Sequence, residues 1–506
     1  MSLLRESCLY RLWLAFWASY LDSSLSRLIR RVEDWCGRQV ETSFLLQPLC
    51  REGVVARGWP DSLLCRLLNV IIDLPARILR WLYGLLQPAL EDSFFARLAF
   101  SFGDSSAAAL SWLILFLWVI PYDYWNNAYS LMAFGFLLLL FHAGAMHRHS
   151  WRLDLTHIGF YPLMVFGSMI LAVVFSHVRV LSTRFLVYHI SAALCVLVTV
   201  SAVQHIRDLK RIAAGAGVCV LISSAYGVIQ RIQGVEVNAS YVDLKLNEGM
   251  PGRVFSFYEN PNTFAEVLLL LLPLVLALAL SAKRTRWRLG WGAVFIIGSV
   301  AMAMTYSRAS WVGFACALVV LVFLWKPRLL PPFLLLCCLA VPLLPDTVWN
   351  RILTIGNTSD SSTASRFPLY DAALRVIQRS PVSGAGLGTA AVQSYIKRYS
   401  LYKGIAPFVH AHNFYLEVWI EAGLLGIASF LAAMLWNIKR AAHTVRHCPD
   451  SAARTITCGA AAALCGSMVC GLADYLWNYP RVLCIFWFVF AVALSGVKLC
   501  QNSQDE

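Results

Sequence analysis

Charge is scarce in this chain: 14% of its 506 residues are Asp, Glu, Lys or Arg, whereas 59% are hydrophobic, and the mean hydropathy is +0.63. A string of soluble domains would need far more polar surface, so the shortage excludes them and leaves a membrane composition. No CxxC with a matching partner occurs among the 15 cysteines, and most, including Cys195, Cys219, Cys316, Cys337 and Cys338, lie inside apolar runs. They read as small core residues, which sets metal clusters and disulfides aside. A cleavable signal peptide is not evident, since about a hundred residues precede the first long apolar stretch. Insertion is expected to rely on internal helices. Neither a repeat of roughly 20–50 residues nor the inverted repeat of many transporters stands out.

What is present is a series of apolar runs of roughly 17–25 residues, the length a helix needs to cross a bilayer. Twelve spans are expected, near 105–120, 127–146, 158–177, 184–203, 210–230, 262–281, 289–306, 309–325, 329–345, 414–437, 455–475 and 481–499. The fold class is therefore all-α: a polytopic membrane domain over 105–506, preceded by an extension over 1–104. Formal net charge is +14, and the basic clusters at 147–152, 207–211, 283–288, 326–328 and 439–446 fall on one side when the spans alternate. The positive-inside bias makes that side cytoplasmic and accounts for the charge without a nucleic-acid partner. Both termini then lie in the cytoplasm, and the opposite face carries two longer segments, 231–261 and 346–413. The extension is Arg-rich and Lys-free, with helical apolar spacing at Leu25, Leu28, Ile29 and Val32 and again at Leu63, Leu64, Leu67, Leu68 and Ile71, where Pro75 is expected to interrupt it. It reads either as a cytosolic cap or as a layer on the membrane surface, in contact with lipid.

The unusual residues collect in the two long segments. His410-Ala411-His412-Asn413 closes the second and opens the tenth span. An imidazole titrates near pH 6.5, and a helix N-terminus disfavours its doubly protonated form, so a histidine there can act as a base. The plainer alternative is a helix N-cap at Asn413 with two interfacial histidines. In the first segment, Arg253 precedes Asn260-Pro261-Asn262, a turn leading straight into the sixth span. An arginine at that entrance can grip a phosphate bidentately, or simply snorkel as an anchor. Arg308, in Ser307-Arg308-Ala309-Ser310, has almost no loop around it and must meet a partner or a wet cavity rather than lipid. Arg366 is a third candidate anion contact. Gly384-x-Gly386-x-Gly388 follows a helix-like segment and reads as tight turning rather than nucleotide binding. Asp474 is expected to pair with an arginine such as Arg481, or to hold a histidine.

Together, Arg253 with Asn260-Pro261-Asn262, Ser307-Arg308, Arg366 with the glycine run, and His412-Asn413 followed by Gly423-x-x-Gly426 resemble the signature of the O-antigen ligase superfamily, which also holds O-antigen polymerases and bacterial protein O-oligosaccharyltransferases. The resemblance covers roughly 210–440. It implies a GT-C-like, metal-independent glycosyltransferase of the bacterial inner membrane, without cofactor. Such an enzyme takes a glycan from undecaprenyl pyrophosphate and passes it to a hydroxyl of a lipid, polysaccharide or protein acceptor. On that resemblance His412 is the catalytic base, while Arg253, Arg308, Arg366, His410 and Asn413 bind substrate. The competing reading is a polytopic transporter of bicarbonate or of the lipid-linked glycan. Spans nearly free of charge at their centres favour surface chemistry instead.

Overall fold

A backbone in hydrocarbon finds no water for its N–H and C=O groups, so long apolar runs resolve into helices. The computed structural model of the protein describes residues 8–42, 53–147, 152–238, 249–357, 361–404 and 407–505, and no strand occurs among them. Part of the expected basic cluster at 147–152, and parts of both long segments, lie outside the described residues. Nine described helices are long and apolar enough to cross a membrane: Ala128–Met146, Arg179–Ala202, Ile206–Gln233, Pro261–Ser281, Thr285–Met304, Arg308–Trp325, Phe414–His447, Ser451–Cys470 and Pro480–Asn502. The chain is an all-α polytopic membrane protein, as expected.

The other three expected spans fall on shorter apolar helices. Phe160–Phe175 has 16 residues. Ser106–Trp118 follows Phe94–Ser101 at a bend of 82°, and Pro327–Leu343 meets Asp346–Leu353 at 114°, which makes up to 11 spans if each bent pair counts as one. Proline explains the second bend: Pro327, Pro331, Pro332, Pro342 and Pro345 each remove a backbone donor from one short stretch. Elsewhere proline is overridden. Helix Leu63–Asp92 runs unbroken through Pro75 and Pro88, against the expected interruption. Its buried side, with Cys65, Ala76 and Tyr83, docks on the bundle and offsets the lost hydrogen bond. The opposite side leaves Leu63, Leu67, Ile71, Leu74, Ile78, Trp81 and Leu85 exposed at helical spacing. Trp59 fastens the extension by donating its indole N–H to the Leu155 carbonyl at 3.3 Å, and the Tyr20 hydroxyl donates to the Arg328 carbonyl at 2.7 Å.

Helices Pro261–Ser281 and Pro480–Asn502 form the centre, with 89% and 100% of their apolar windows buried, against 22% for Thr285–Met304 at the rim. Following the helices end to end puts the basic clusters 207–211, 283–288, 326–328 and 439–446 at one end of the bundle. The entrances at Asn260, Ser307 and Asn413 lie at the other. One disulfide departs from the sequence reading: Cys448 and Cys500 are bonded across 52 residues. Their Cα atoms stand 4.9 Å apart because helices Phe414–His447 and Pro480–Asp505 pack side by side, a proximity that sequence spacing does not reveal.

At the basic end, buried Lys498 donates to Asp154 at 2.9 Å and to the Val200 carbonyl at 3.2 Å. Burial pushes the Asp154 carboxyl up, but the His157 hydrogen bond and the Lys498 charge outweigh it and hold it well below the usual range. Asp154→Ala leaves the Lys498 ammonium buried without its counter-charge, and the expected cost is about 3–5 kcal/mol. Because the folded carboxyl is depressed, this stability is present above the ordinary aspartate value and is lost only as pH falls below it. Thermal unfolding of both proteins from pH 7 down to pH 3 checks it: the gap between their midpoints should hold above the ordinary aspartate value and begin to narrow below it.

Candidate active site

Each segment singled out in the sequence ends at a helix entrance of the same end. The Asn260 side chain accepts from the N–H groups of Asn262 (2.9 Å) and Thr263 (3.0 Å), capping helix Pro261–Ser281. Asn413 does the same for helix Phe414–His447, accepting from Tyr415 (3.1 Å) and Leu416 (3.0 Å), while its amide donates to the Leu472 carbonyl at 3.0 Å. Its polar atoms thus shape the turn that presents His412. The backbone pays locally for these turns. Ser256, Tyr306 and His412 are three of the four described non-glycine residues with left-handed φ, at 54°, 51° and 46°. Such φ values persist only where surrounding contacts enforce them, and they concentrate at functional sites.

The arginines meet. Buried Arg253 donates through Nε to the Thr305 carbonyl at 2.6 Å and through Nη2 to Asn262 Oδ1, tying two helix entrances together. Arg308 donates through Nη1 to the carbonyl (2.9 Å) and hydroxyl (3.2 Å) of Thr354. Arg366 opens helix Arg366–Arg379. Arg351, which the sequence reading did not single out, is 3% exposed and directs Nε at the Tyr306 carbonyl, 3.4 Å away. All four line one cavity of about 360 Å³, in which Asp474 is the sole carboxylate among the lining residues described. Four guanidinium groups against one carboxylate make a receptacle for a multiply charged anion. Arg253 also borders a second cavity of about 740 Å³, lined by Tyr122, Tyr226, Gln230 and Glu259 among others.

Beside the arginine cavity stands the histidine pair. His412 Nδ1 lies 3.2 Å from Asp474 Oδ1 and 3.2 Å from His410 Nε2. Asp474 lines the cavity, and the two histidines connect to it through that contact. Burial pushes the Asp474 carboxyl up, but the hydrogen bond and charge of His412 and the charge of Arg366 outweigh it and hold it well below the ordinary value. His410 is pushed down to about 3, first by burial and then by the charges of His412 and Arg366. It stays neutral at physiological pH. Of the two partners weighed for Asp474, the histidine is the one found. Arg481 instead donates to the carbonyls of Ile120 (2.9 Å) and Phe257 (3.3 Å) and stacks over Trp125.

Two buried acids that the sequence reading passed over brace the site, Glu417 at the histidine turn and Glu421 at the residue after Asp474. Glu417 accepts the Ala411 N–H at 2.6 Å, and Glu421 accepts the Tyr475 hydroxyl at 3.1 Å. Their signal was present: two acids four residues apart in an apolar helix must find partners. Just beyond them the helix breaks at Gly423, with φ 67° and ψ −166°. The Ile420 carbonyl accepts from Ala385 (2.6 Å), and Leu424 donates to Pro381 (2.9 Å), so the 381–388 loop takes up backbone groups that the helix releases. A Cβ on Gly423 would run into the Val382 backbone, and one on Gly384 into Glu421. The glycine run is a close-packing device, in line with the tight-turn reading.

The family model described as O-antigen ligase matches residues 293–431, a stretch that includes Arg308, Arg351, Arg366, His410, His412 and Gly423, with Arg253 and Asp474 outside it. Comparison with curated proteins finds no match. The resemblance of the chain to the O-antigen ligase and polymerase superfamily is thereby borne out, carried by an O-antigen ligase domain over residues 293–431 of a polytopic membrane protein.

Proposed function

We propose that the protein is a metal-independent glycosyltransferase that moves a glycan from undecaprenyl pyrophosphate to an acceptor hydroxyl at the extracytoplasmic face of the inner membrane. The observation that carries this reading is the meeting of four arginines with Asp474 at one cavity, with His412 bonded to that aspartate. The acceptor oxygen attacks the anomeric carbon, the bond from that carbon to the pyrophosphate oxygen breaks, and the electron pair leaves with the pyrophosphate. Arg308, Arg366 and Arg351 face the charge that develops there, and Arg253 joins them while fixing the two helix entrances. The acceptor proton goes to His412. With Asp474 accepting from Nδ1, the His412 lone pair sits on Nε2, and the imidazolium that forms is stabilised by the same carboxylate. His410 orients substrate, and Asn413 holds the turn. Beside Arg253, the second cavity offers aromatic and amide groups suited to a sugar.

In this orientation the basic end faces the cytoplasm. The Cys448–Cys500 disulfide then lies toward the reducing compartment, where such bonds are uncommon. The extension, with its exposed apolar side and arginines, lies along the membrane surface. Purified protein given a synthetic undecaprenyl-pyrophosphate glycan in EDTA should release undecaprenyl pyrophosphate as acceptor becomes glycosylated. A folded protein that releases none across a panel of lipid, polysaccharide and peptide hydroxyls would overturn the enzyme reading and direct attention to flux assays for transport.

A further inference from the structure

Three atoms with donor lone pairs converge beside the arginine cavity. His410 Nε2, His412 Nδ1 and Asp474 Oδ1 all lie within 4.8 Å of one another. The His412 nitrogen is 3.2 Å from each of the other two. One in-plane position on Nδ1 cannot serve both neighbours well: a proton directed at Asp474 leaves the contact with His410 poorly satisfied. A cation satisfies all three. The two 3.2 Å separations made by His412 match the edge of a tetrahedron with bonds of about 2.0–2.1 Å, which is near 3.3 Å. Two imidazole nitrogens and one carboxylate oxygen suit zinc and similar transition dications rather than magnesium or calcium, which take oxygen ligands. Asp474 borders the cavity, so a fourth position open to water is available on that side.

The surroundings set the strength of the site. Metal-bound histidines usually donate their second ring N–H to a partner. Here His410 Nδ1 and Asp474 Oδ2 are buried and make no hydrogen bond. The arrangement is therefore one for a reversible ion and not for a permanent structural one.

We propose that His410, His412 and Asp474 form a zinc-type cation site whose occupation switches the protein off. An ion on His412 Nδ1 forces the proton of the neutral ring onto Nε2, which removes the lone pair required of a base. Binding depends on the three ligands alone, whereas inhibition rests on the transfer reading above. The two are separable.

The test titrates cobalt(II) into full-length protein that has been purified in detergent and stripped of metal with chelator. One equivalent should bind with the visible absorption of a four-coordinate ion, at a midpoint of about 1–100 µM, and zinc should displace it. His410→Ala and Asp474→Asn should each weaken binding at least about tenfold, with size-exclusion and thermal unfolding showing that they remain folded. The Asp474→Asn change is nearly isosteric and serves if His410→Ala fails to fold. Absence of saturable absorption below about 1 mM, or variants that bind like the parent through cysteine thiolates, overturns the site. Zinc should inhibit transfer at the same midpoint, relieved by EDTA. Binding without inhibition overturns the switch, while absence of transfer even in EDTA counts against the glycosyltransferase reading and leaves the cobalt result standing.

Discussion

Glycan transfer by a His412→Ala protein should fall about 10²–10⁴-fold in kcat, with donor KM little changed, because a general base acts on the transition state rather than on bound substrate. The neighbourhood of His412 makes it a sharp test. Its ring is held by Asp474 at 3.2 Å, and the turn that carries it by contacts that do not depend on the imidazole, including the Phe414 N–H to the Gly471 carbonyl at 2.7 Å. Alanine at 412 should therefore leave the fold in place, and thermal unfolding beside the kinetics separates a chemical loss from a structural one. An alanine variant that retains parental kcat would remove His412 from the mechanism. A companion Asp474→Asn protein should lose turnover as well, since an amide does not enforce the tautomer with its lone pair on Nε2.

The second large effect belongs to Arg308. Removing one preorganised charge from a developing anion costs about 10²–10³-fold in rate, and Arg308→Ala should fall in that range. Arg308→Lys should recover part of it, because the ammonium restores the charge without the planar fork. The measurement is kcat and kcat/KM for release of undecaprenyl pyrophosphate in alanine, lysine and parent proteins. Equal loss in the two variants would mean that the fork holding Thr354 is what matters, and that the residue is structural. Arg253 makes a poorer probe. It is 7% exposed and bonded to the Thr305 carbonyl, so its removal disturbs two helix entrances as well as the anion site.

The all-α membrane architecture was legible because apolar runs of span length have few alternatives in a bilayer, and nine long helices stand where runs were seen. The spans that came out short or bent lie where proline clusters, as at 327–345, or where the apolar run is brief. Arg253, Arg308 and Arg366 were visible as charges at helix entrances, and they share one cavity. Arg351 was not, because it sits in the short mixed helix Asp346–Leu353, with no motif around it to mark it, and only tertiary packing brings it to the cavity. The Asp474 partner was an open choice between a histidine and Arg481. Sequence distance says nothing about which of two cations a carboxylate meets, and Arg481 is drawn off by the Ile120 carbonyl and the Trp125 ring. The Cys448–Cys500 bond was missed for the same reason.

The contact between His412 and Asp474 spans 62 residues of chain. Because a ribosome makes the chain in order, the histidine and all four cavity arginines are synthesised before the aspartate. Helix Ser451–Cys470 has to enter the membrane before Asp474 reaches its partner. Throughout that interval the cavity itself is unfinished, since Val469, Leu472, Ala473 and Asp474 form part of its wall. A chain that stops after helix Phe414–His447 stays in that condition. Closing the cavity with segments made so late ties the arrangement of these groups to the finished bundle, out of reach of any shorter chain.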